Sequence, residues 1–117
     1  MLSTFSLSDN IMGFILDGPY DDIESDKLRA GINEKLEDFE MIRFYVEDSG
    51  NSEISFKTVL KDVLFKLRTA NKFEKVAIVT DRKWLHAIIM LEKLFINADI
   101  RFFPTQQRLQ AIHWISH

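Results

Sequence analysis

The sequence predicts a single α/β domain with a mostly parallel sheet, and three observations support this prediction. Short apolar segments alternate with longer segments in which apolar residues recur every three or four positions, as is typical of strands joined by crossover helices. The segment Val76–Val79 is apolar without alternation, as expected for a central strand covered on both faces. Two strand-like segments near the N-terminus predict an antiparallel hairpin at one side. We therefore expect a mixed, mostly parallel five-stranded sheet with four helices, in the order β-β-α-β-α-β-α-β-α.

The hairpin and the first helix occupy the first third of the chain. Strands are predicted over Thr4–Leu7 and Ile11–Leu16, because the Asp–Asn pair between them tolerates a tight turn. Asp21 and Glu24 then resemble a capping box, and the acidic residues around them favour the positive end of a helix. A single apolar stripe follows and predicts a helix over Asp22–Asp38.

The remaining elements follow from the same two periodicities. Strands are predicted where short apolar runs end at loop-forming residues, and helices where one apolar stripe continues for several turns. The predicted segments are Met41–Val46, Ser55–Asn71, Val76–Val79, Arg82–Phe95 and Ile100–Phe103. After Pro104, Thr105 can cap a last helix that extends to the C-terminus. In that helix we expect Leu109, Ile112 and Ile115 to face inward.

Composition limits the classes of function. The 117 residues form one predicted domain, residues 1–117, and 46% of them are hydrophobic, which indicates a globular chain. The net charge is −3 and the basic residues are scattered, so we expect no nucleic-acid partner, because that surface needs a basic patch. The chain contains no Cys, which excludes disulfides and Cys-ligated metals. It shows neither a signal-peptide pattern nor an apolar run of ~18 residues, so we expect a cytoplasmic protein.

The predicted 82–95 helix is apolar over more of its circumference than one packed face requires. A surface helix needs an apolar arc of about 100°, whereas apolar residues here cover well over half of the helical wheel. The residues that we single out are Trp84, Leu85, Ile88, Ile89, Met90 and Phe95. Two interpretations stay open: the helix is buried between the sheet and its neighbours, or its additional apolar edge contacts a second subunit, an apolar ligand or lipid.

Four segments of the second half carry a family resemblance. FEKVAIVTDRKWL, LEKLF, ADIRFFP and AIHWI combine a strand ending in Asp, a Lys–Trp–Leu helix start and a closing Ala-x-x-Trp helix. In this combination the chain resembles the SpoIIAA-like family, relatives of STAS domains. The resemblance implies a STAS-like fold and a likeness to CRAL-TRIO lipid-carrier domains. It implies no catalytic residues for this chain, and it suggests membrane association or apolar-ligand binding.

Two polar turns are further candidates for a site. Asp81 follows the strand Val76–Val79 at a position where α/β sheets bind ligands, but Asp81 or Thr80 also suits the N-cap of a helix that begins at Arg82. Ser49 follows the third predicted strand in an Asp–Ser context. The related anti-sigma-factor antagonists are switched by phosphorylation of a Ser in such a context, so the resemblance implies Ser49 as a candidate phosphosite.

We therefore expect a non-enzymatic association domain that forms a homodimer and reversibly binds an apolar small molecule, a lipid or a membrane surface. The 82–95 helix carries this hypothesis, with Phe102, Phe103, Leu109 and Ile112 as candidate pocket walls. Such a protein would be cytoplasmic, with peripheral contact at the inner membrane surface. The alternative is a STAS-type signalling protein regulated by phosphorylation of Ser49. No metal or cofactor is expected, because no ligand set or phosphate-binding motif is evident.

Overall fold

The computed structural model describes residues 2–50, 53–83, 87 and 96–117 of the chain. In chain order its elements are β1 (Leu2–Ser8), β2 (Ile11–Leu16), α1 (Asp22–Asp38), β3 (Ile42–Asp48), α2 (Glu53–Ala70), β4 (Phe73–Val79), β5 (Asp99–Phe103), a 3₁₀ turn (Thr105–Gln107) and α3 (Arg108–Ser116). The predicted order of strands and helices is confirmed for these elements.

The five strands form one sheet in the order β1-β2-β3-β4-β5. β1 and β2 are antiparallel, whereas the pairs β2–β3, β3–β4 and β4–β5 are parallel. The predicted hairpin at one side of a mostly parallel sheet is therefore confirmed. Side chains alternate between two faces of this sheet. Face A is defined by the row Met12, Phe44, Val76 and Ile100. Face B is defined by the neighbouring row Gly13, Tyr45, Ala77 and Arg101.

The structure corrects several predicted strand ends and leaves one predicted helix undescribed. β1 spans Leu2–Ser8 rather than Thr4–Leu7, and β4 begins at Phe73 rather than Val76. β2 and α1 have the predicted bounds, but β3 continues to Asp48, beyond its predicted end at Val46. The prediction ends early because the last two residues of β3 are charged, which is atypical of a buried strand. The described residues contain three α-helices rather than the predicted four. The other predicted helix, Arg82–Phe95, falls mainly on residues 84–86 and 88–95, which lie outside the described residues.

Face A carries the larger apolar core. Both α1 and α2 pack on it, and their buried side chains join those of the sheet in one cluster. The buried helical residues are Leu28, Ile32, Phe56, Val59, Leu60, Val63, Leu64 and Leu67. α1 begins where predicted because Oδ1 of Asp21 accepts a 2.9 Å hydrogen bond from the backbone N–H of Glu24. The two helices share a face because each connects neighbouring parallel strands, and such crossovers are right-handed.

Face B is covered by α3 alone among the described helices. α3 packs mainly on β4 and to a smaller extent on β3 and β5. Its fully buried residues are Ala111 and Ile115. The predicted inward position of Leu109 is wrong, since this side chain is 77% exposed. With Ala111 and Ile115 against the sheet, a rotation of 100° per residue places Leu109 on the outer flank of the helix. Ile112 lies between these positions and is partly buried.

Basic side chains from the sheet hold the C-terminal end of α3. Nη1 of Arg43 donates to the carbonyl of Ile115 at 3.0 Å, and Nζ of Lys75 lies 3.4 Å from the carbonyl of Trp114. Carbonyls in the last turn of a helix have no partner within it, and cations there also interact favourably with the helix dipole. Lys75 and Arg101 in addition lie over the Trp114 ring, 5.1 and 4.9 Å from its centroid. These polar contacts therefore help to hold α3 on the sheet, because its apolar contact area is small.

Phe5 fills a gap on face B that a glycine leaves. Phe5 lies directly opposite Gly13 in the hairpin, and a Cβ atom on Gly13 would lie 2.1 Å from Cζ of its ring. The same ring packs edge-on against Tyr45, with ring centroids 5.5 Å apart. The absence of a side chain at Gly13 therefore lets an aromatic residue of the edge strand reach the centre of the sheet.

Substituting Gly13 by Ala should lower the free energy of unfolding by about 1–2 kcal/mol, because the new methyl group must displace the Phe5 ring from Tyr45. Urea denaturation followed by circular dichroism measures this loss. The matched control is Gly31→Ala in α1, where the nearest atom to a Cβ is the flexible Cε of Met12 at 3.1 Å. That substitution should be neutral or stabilising, because Ala is the better helix former. In a Phe5→Ala background the loss from Gly13→Ala should largely disappear, and an undiminished loss would contradict this interpretation.

Candidate functional site

The carboxyl ends of three parallel strands border the candidate site. A cleft of about 410 Å³ lies there, lined by Asp48, Ser49, Gly50, Asp81, Arg82, Thr105 and Arg108. These residues come from the ends of β3 and β4, the turns that follow them, and the segment after β5. Open α/β sheets bind ligands outside the carboxyl ends of their strands. The position of the cleft in the fold therefore makes it a candidate.

Asp48 is buried at the back of this cleft. Its side chain is 3% exposed, and Oδ2 accepts hydrogen bonds from Nε of Arg82 at 2.7 Å and from the hydroxyl of Thr80 at 3.0 Å. Oδ1 accepts a 2.8 Å bond from the backbone N–H of Gly50, whose φ of 89° is readily adopted only by glycine. A buried carboxylate needs such a cation and such donors to compensate for lost hydration. Asp48 therefore joins the end of β3 to the end of β4.

The neighbouring carboxylate, Glu47, points to face B and is also buried. Oε1 accepts a 2.5 Å hydrogen bond from the phenol of Tyr45, and Oε2 lies 3.2 Å from Nη2 of Arg108. Burial, and after it the hydrogen bond to Glu47, raises the pKa of the Tyr45 phenol above its usual value. The phenol therefore remains a hydrogen-bond donor at neutral pH. The contact with Arg108 fixes the first turn of α3 to the sheet.

Asp81 holds the segment that follows β5. Its carboxylate accepts hydrogen bonds from the hydroxyl of Thr105 at 2.7 Å and from the backbone N–H of Thr105 at 2.9 Å. These two bonds, the hydroxyl bond first, lower the pKa of Asp81 below its usual value. Of the two residues predicted to cap at Arg82, Thr80 accepts the backbone N–H of Arg82 at 3.1 Å, whereas Asp81 binds Thr105. Thr105 in turn binds Asp81 rather than capping α3 with its side chain.

Ser49, the candidate phosphosite, is exposed at the mouth of the cleft. Its hydroxyl donates to the carbonyl of Leu16 at 2.5 Å, and its backbone N–H donates to the same carbonyl at 3.2 Å. Ser49 therefore joins the ends of β2 and β3. It lines the cleft together with Arg82 and Arg108, each of which is paired with a buried carboxylate.

The predicted apolar site residues do not share one pocket in the described structure. Phe102 packs partly buried against the core of face A, whereas Phe103 and Ile112 pack partly buried against the cluster of face B. Leu109 is exposed on the outer flank of α3. The other six predicted residues are Trp84, Leu85, Ile88, Ile89, Met90 and Phe95, and they lie outside the described residues.

An apolar surface on the side of face B includes two of the predicted site residues, Leu109 and Ile112, and three hairpin residues that the sequence predictions miss. We call it the apolar strip, and it consists of the partly or largely exposed residues Phe5, Leu7, Ile15, Leu109 and Ile112. One flank of α3 places Trp114 beside Phe103 of β5, with ring centroids 6.0 Å apart. Helical geometry then directs the opposite flank, with Ile112, toward the hairpin, and it places Leu109 farther out on the same side of α3. Alternation in β1 and β2 indicates which residues share a face, but it does not reveal that α3 packs over the other strands.

Two further classes of site have no counterpart in the described part of the chain. No group of three or more His, Cys, Asp or Glu residues there could hold a metal ion. His113 and His117 lie one turn apart, with ring centroids separated by 4.2 Å. None of the described helices is long and apolar enough to cross a bilayer.

Removing the two arginines of the cleft one at a time should destabilise the protein unequally. Arg82→Met leaves the buried Asp48 carboxylate without its cation, so we expect a loss of about 3 kcal/mol. Arg108→Met should cost about 1 kcal/mol, because the Arg108 side chain is 53% exposed and water already screens its pair with Glu47. Parallel urea denaturation of both variants measures the difference, and equal losses would contradict this description of the cleft.

Known proteins agree with this fold. A model of the SpoIIAA-like family matches residues 11–116, which include β2 to β5 and the three described helices. The structure is similar to the crystal structure of an uncharacterised DUF3478-family protein with a SpoIIAA-like fold from Shewanella loihica PV-4. The TM-score is 0.63 at 16% sequence identity, over 98% of this chain and 92% of that chain, so this likeness concerns the fold alone. No curated protein matches the chain. Because the family match extends over most of its length, the chain belongs to the SpoIIAA-like family.

Proposed function

We propose that this chain is a non-enzymatic association domain that self-associates and reversibly binds an apolar ligand or a membrane surface. The apolar strip on face B is the observation that carries the proposal. The family supplies the STAS-type fold, and the strip supplies the surface. The predicted 82–95 helix is a second candidate surface, outside the described residues.

The arrangement of the strip supports binding rather than core packing. A single exposed apolar side chain is ordinary on a protein surface, but this strip combines residues of both hairpin strands with one flank of α3. Leu109 is 77% exposed, so most of its surface contributes nothing to the core. Burying that surface against lipid or an apolar ligand would contribute about 1–2 kcal/mol. Several exposed apolar side chains on one side of a protein are more typical of interaction sites than a single one.

The opposite flank of α3 supports contact with a membrane surface. Trp114 lies there between Lys75 and Arg101, both within 5.1 Å of its ring centroid. Arg101 is 56% exposed, although Asp99 lies 3.6 Å from its guanidinium. A Trp ring with basic neighbours is suited to the boundary between lipid headgroups and acyl chains. There the ring is half buried, and the basic side chains contact the lipid phosphates.

The polar cleft supports a non-enzymatic role. The buried Asp48 carboxylate accepts hydrogen bonds from Thr80 and Arg82. The neighbouring Glu47 carboxylate accepts one from Tyr45 and forms an ion pair with Arg108. A general base needs a site at which a proton of a substrate can approach it. Here the contacts of the carboxylates fix strand ends and α3.

The vesicle-binding test uses Leu109. Leu109→Gln should reduce binding to vesicles of phosphatidylcholine and phosphatidylglycerol roughly tenfold, because it removes an exposed apolar group from the strip. Co-sedimentation over a range of lipid concentrations measures the partition coefficient. Native mass spectrometry of the purified protein reports any copurified apolar molecule.

The matched control for that test is Ile23→Gln in α1. Ile23 is also exposed, at 65%, but it belongs to a helix on the other face of the sheet. Its substitution should leave vesicle binding unchanged. A wild-type protein that neither binds vesicles nor carries an apolar molecule would exclude this part of the proposal, and so would equal losses in the two variants.

The exposure of Ser49 favours a second candidate function, a signalling domain switched by phosphorylation. A phosphate on Ser49 would break the hydroxyl bond to Leu16 and add about two negative charges to a cleft that contains Arg82 and Arg108. The phosphate would then compete with Asp48 for Arg82 and with Glu47 for Arg108. These two ion pairs hold the end of β3 and the start of α3 in place. The modification would thus be coupled to the position of α3.

A comparison of Ser49→Asp with Ser49→Ala tests the switch. Both variants remove the hydroxyl bond, but only Asp adds charge, so Ser49→Asp alone should increase backbone hydrogen exchange in α3. Hydrogen-exchange mass spectrometry measures this, and phosphopeptide analysis of the native protein shows whether Ser49 is modified. Identical exchange in the two variants, together with an unmodified Ser49, would exclude the switch.

A further inference from the structure

We propose that β1 pairs antiparallel with β1 of a second copy of this chain and continues the sheet across a two-fold axis. This inference deepens the self-association in the proposed function and rests on it. It specifies the surface, the partner and the register. Three independent features of the described residues point to it: the composition of the sheet edge, the self-complementarity of β1, and the residues of α1 that face the same seam.

The two edges of the sheet differ in how they are protected. β5, at one edge, carries Asp99 and Arg101 and ends before Pro104. Charged residues and proline are the devices that prevent another strand from pairing with an exposed edge. β1, at the other edge, has seven residues, Leu2–Ser8, and contains neither a charged residue nor a proline. Among the described residues no strand pairs with this edge of β1. A bulge between Ser6 and Ser8, where the Ser6 hydroxyl donates to the Ser8 carbonyl, limits regular pairing to the residues before it.

The sequence of β1 fits a second copy of itself. Antiparallel pairing about a two-fold axis at Phe5 places each Phe5 opposite the other, on face B. On face A it places Thr4 opposite Ser6 of the partner subunit. Both of these hydroxyl residues are exposed in one copy. Thr–Ser pairs are favourable cross-strand neighbours, and β1 brings no charged residue to this seam. The Phe5 rings themselves turn away from the seam, over Gly13 and against Tyr45 of their own copy.

The face of α1 beside β1 has the same two-fold complementarity. A cleft of about 690 Å³ lies between β1 and α1, and the helix lines it with Lys27, Ala30, Gly31, Glu34 and Lys35. A two-fold axis that passes midway between Ala30 and Gly31 places Lys27 of one copy opposite Glu34 of the partner subunit. The same axis places Glu34 of the first copy opposite the partner's Lys27. Opposite charges therefore meet twice, with small residues between them.

The two-fold axis placed at Phe5 of β1 and the one placed between Ala30 and Gly31 of α1 lie at the same level along the strands. A Cβ on Gly31 would lie 3.1 Å from Met12 and 3.7 Å from Phe14. These residues pair with Ser6 and Thr4, on either side of Phe5. One axis therefore serves both β1 and α1. With strands about 4.8 Å apart, α1 helices above the two β2 strands lie roughly 14 Å from each other, a gap that the long side chains of Lys and Glu can bridge.

This dimer would also combine the two apolar strips. A two-fold axis perpendicular to the sheet keeps face B of both copies on the same side. The two β1 strands then lie at the centre, with the strip residues of each copy on either side. A membrane surface would contact both strips at once, so dimer formation would raise the apparent affinity for vesicles.

The first test adds a charge to the edge. Thr4→Lys should weaken dimer formation about tenfold, because two lysines become diagonal neighbours across the seam. Thr69→Lys is the matched control, since Thr69 is likewise exposed but lies near the end of α2. Sedimentation velocity over a range of protein concentrations measures the dissociation constants. A wild-type chain that stays monomeric, or a Thr4→Lys variant that dimerises like the wild type, would overturn the inference.

A charge reversal tests the register without altering β1. Lys27→Glu should weaken the dimer about tenfold by creating two like-charge pairs, and adding Glu34→Lys should restore it. If Lys27→Glu acted only by destabilising α1 within each copy, adding Glu34→Lys would not restore the dimer. Loss without restoration would overturn this register.

Vesicle binding separates this inference from the proposed function. A monomeric wild-type protein that still binds vesicles would overturn edge pairing and leave the apolar strip in place. A dimer that responds to Thr4→Lys but does not bind vesicles would support edge pairing and exclude the lipid contact.

Discussion

The order in which successive strands lie across the sheet determines which helices cover each of its two faces. From β2 to β5 each strand lies beside its predecessor in the chain, and right-handed crossovers place α1 and α2 together on face A. Among the described helices, face B then depends on α3, which has nine residues. A helix about 10 Å wide covers roughly two strands spaced ~4.8 Å apart. None of the described helices consequently packs over the hairpin half of face B, and the apolar strip follows from that geometry.

The position of α3 results from polar contacts at both of its ends. Arg108 and Thr105 bind carboxylates at the carboxyl ends of the strands, whereas Arg43 and Lys75 bind carbonyls of the last turn. These contacts hold a short helix that buries few apolar residues completely. They also connect the cleft to face B, because the groups that line the cleft fix the start of α3. The cleft and face B are therefore physically connected through α3.

Local signals in the sequence predict much of the fold but little of the site. The bounds of β2 and α1 follow from alternation, an Asp cap and one apolar stripe, all of which act within a few residues. The burial of Glu47 and Asp48 is not predictable in this way, because their partners Arg108 and Arg82 are distant in the sequence. The exposure of Leu109 is likewise missed, since contacts with the sheet decide which side of α3 faces inward. The family resemblance predicts the fold class, which the family match confirms, while the surfaces proposed for binding require the arrangement of side chains in space.

The central claim is that face B, and not face A, contacts the membrane. The absence of Cys permits single spin labels, one at Ser116 on the strip flank of α3 and one at Asp26 on α1, both of which are exposed. Electron paramagnetic resonance then measures the access of oxygen and of a water-soluble relaxation agent before and after vesicles are added. We expect the Ser116 label to gain oxygen access and lose access of the aqueous agent, while the Asp26 label stays unchanged. Unchanged access at Ser116, or insertion of the Asp26 label, would contradict the account.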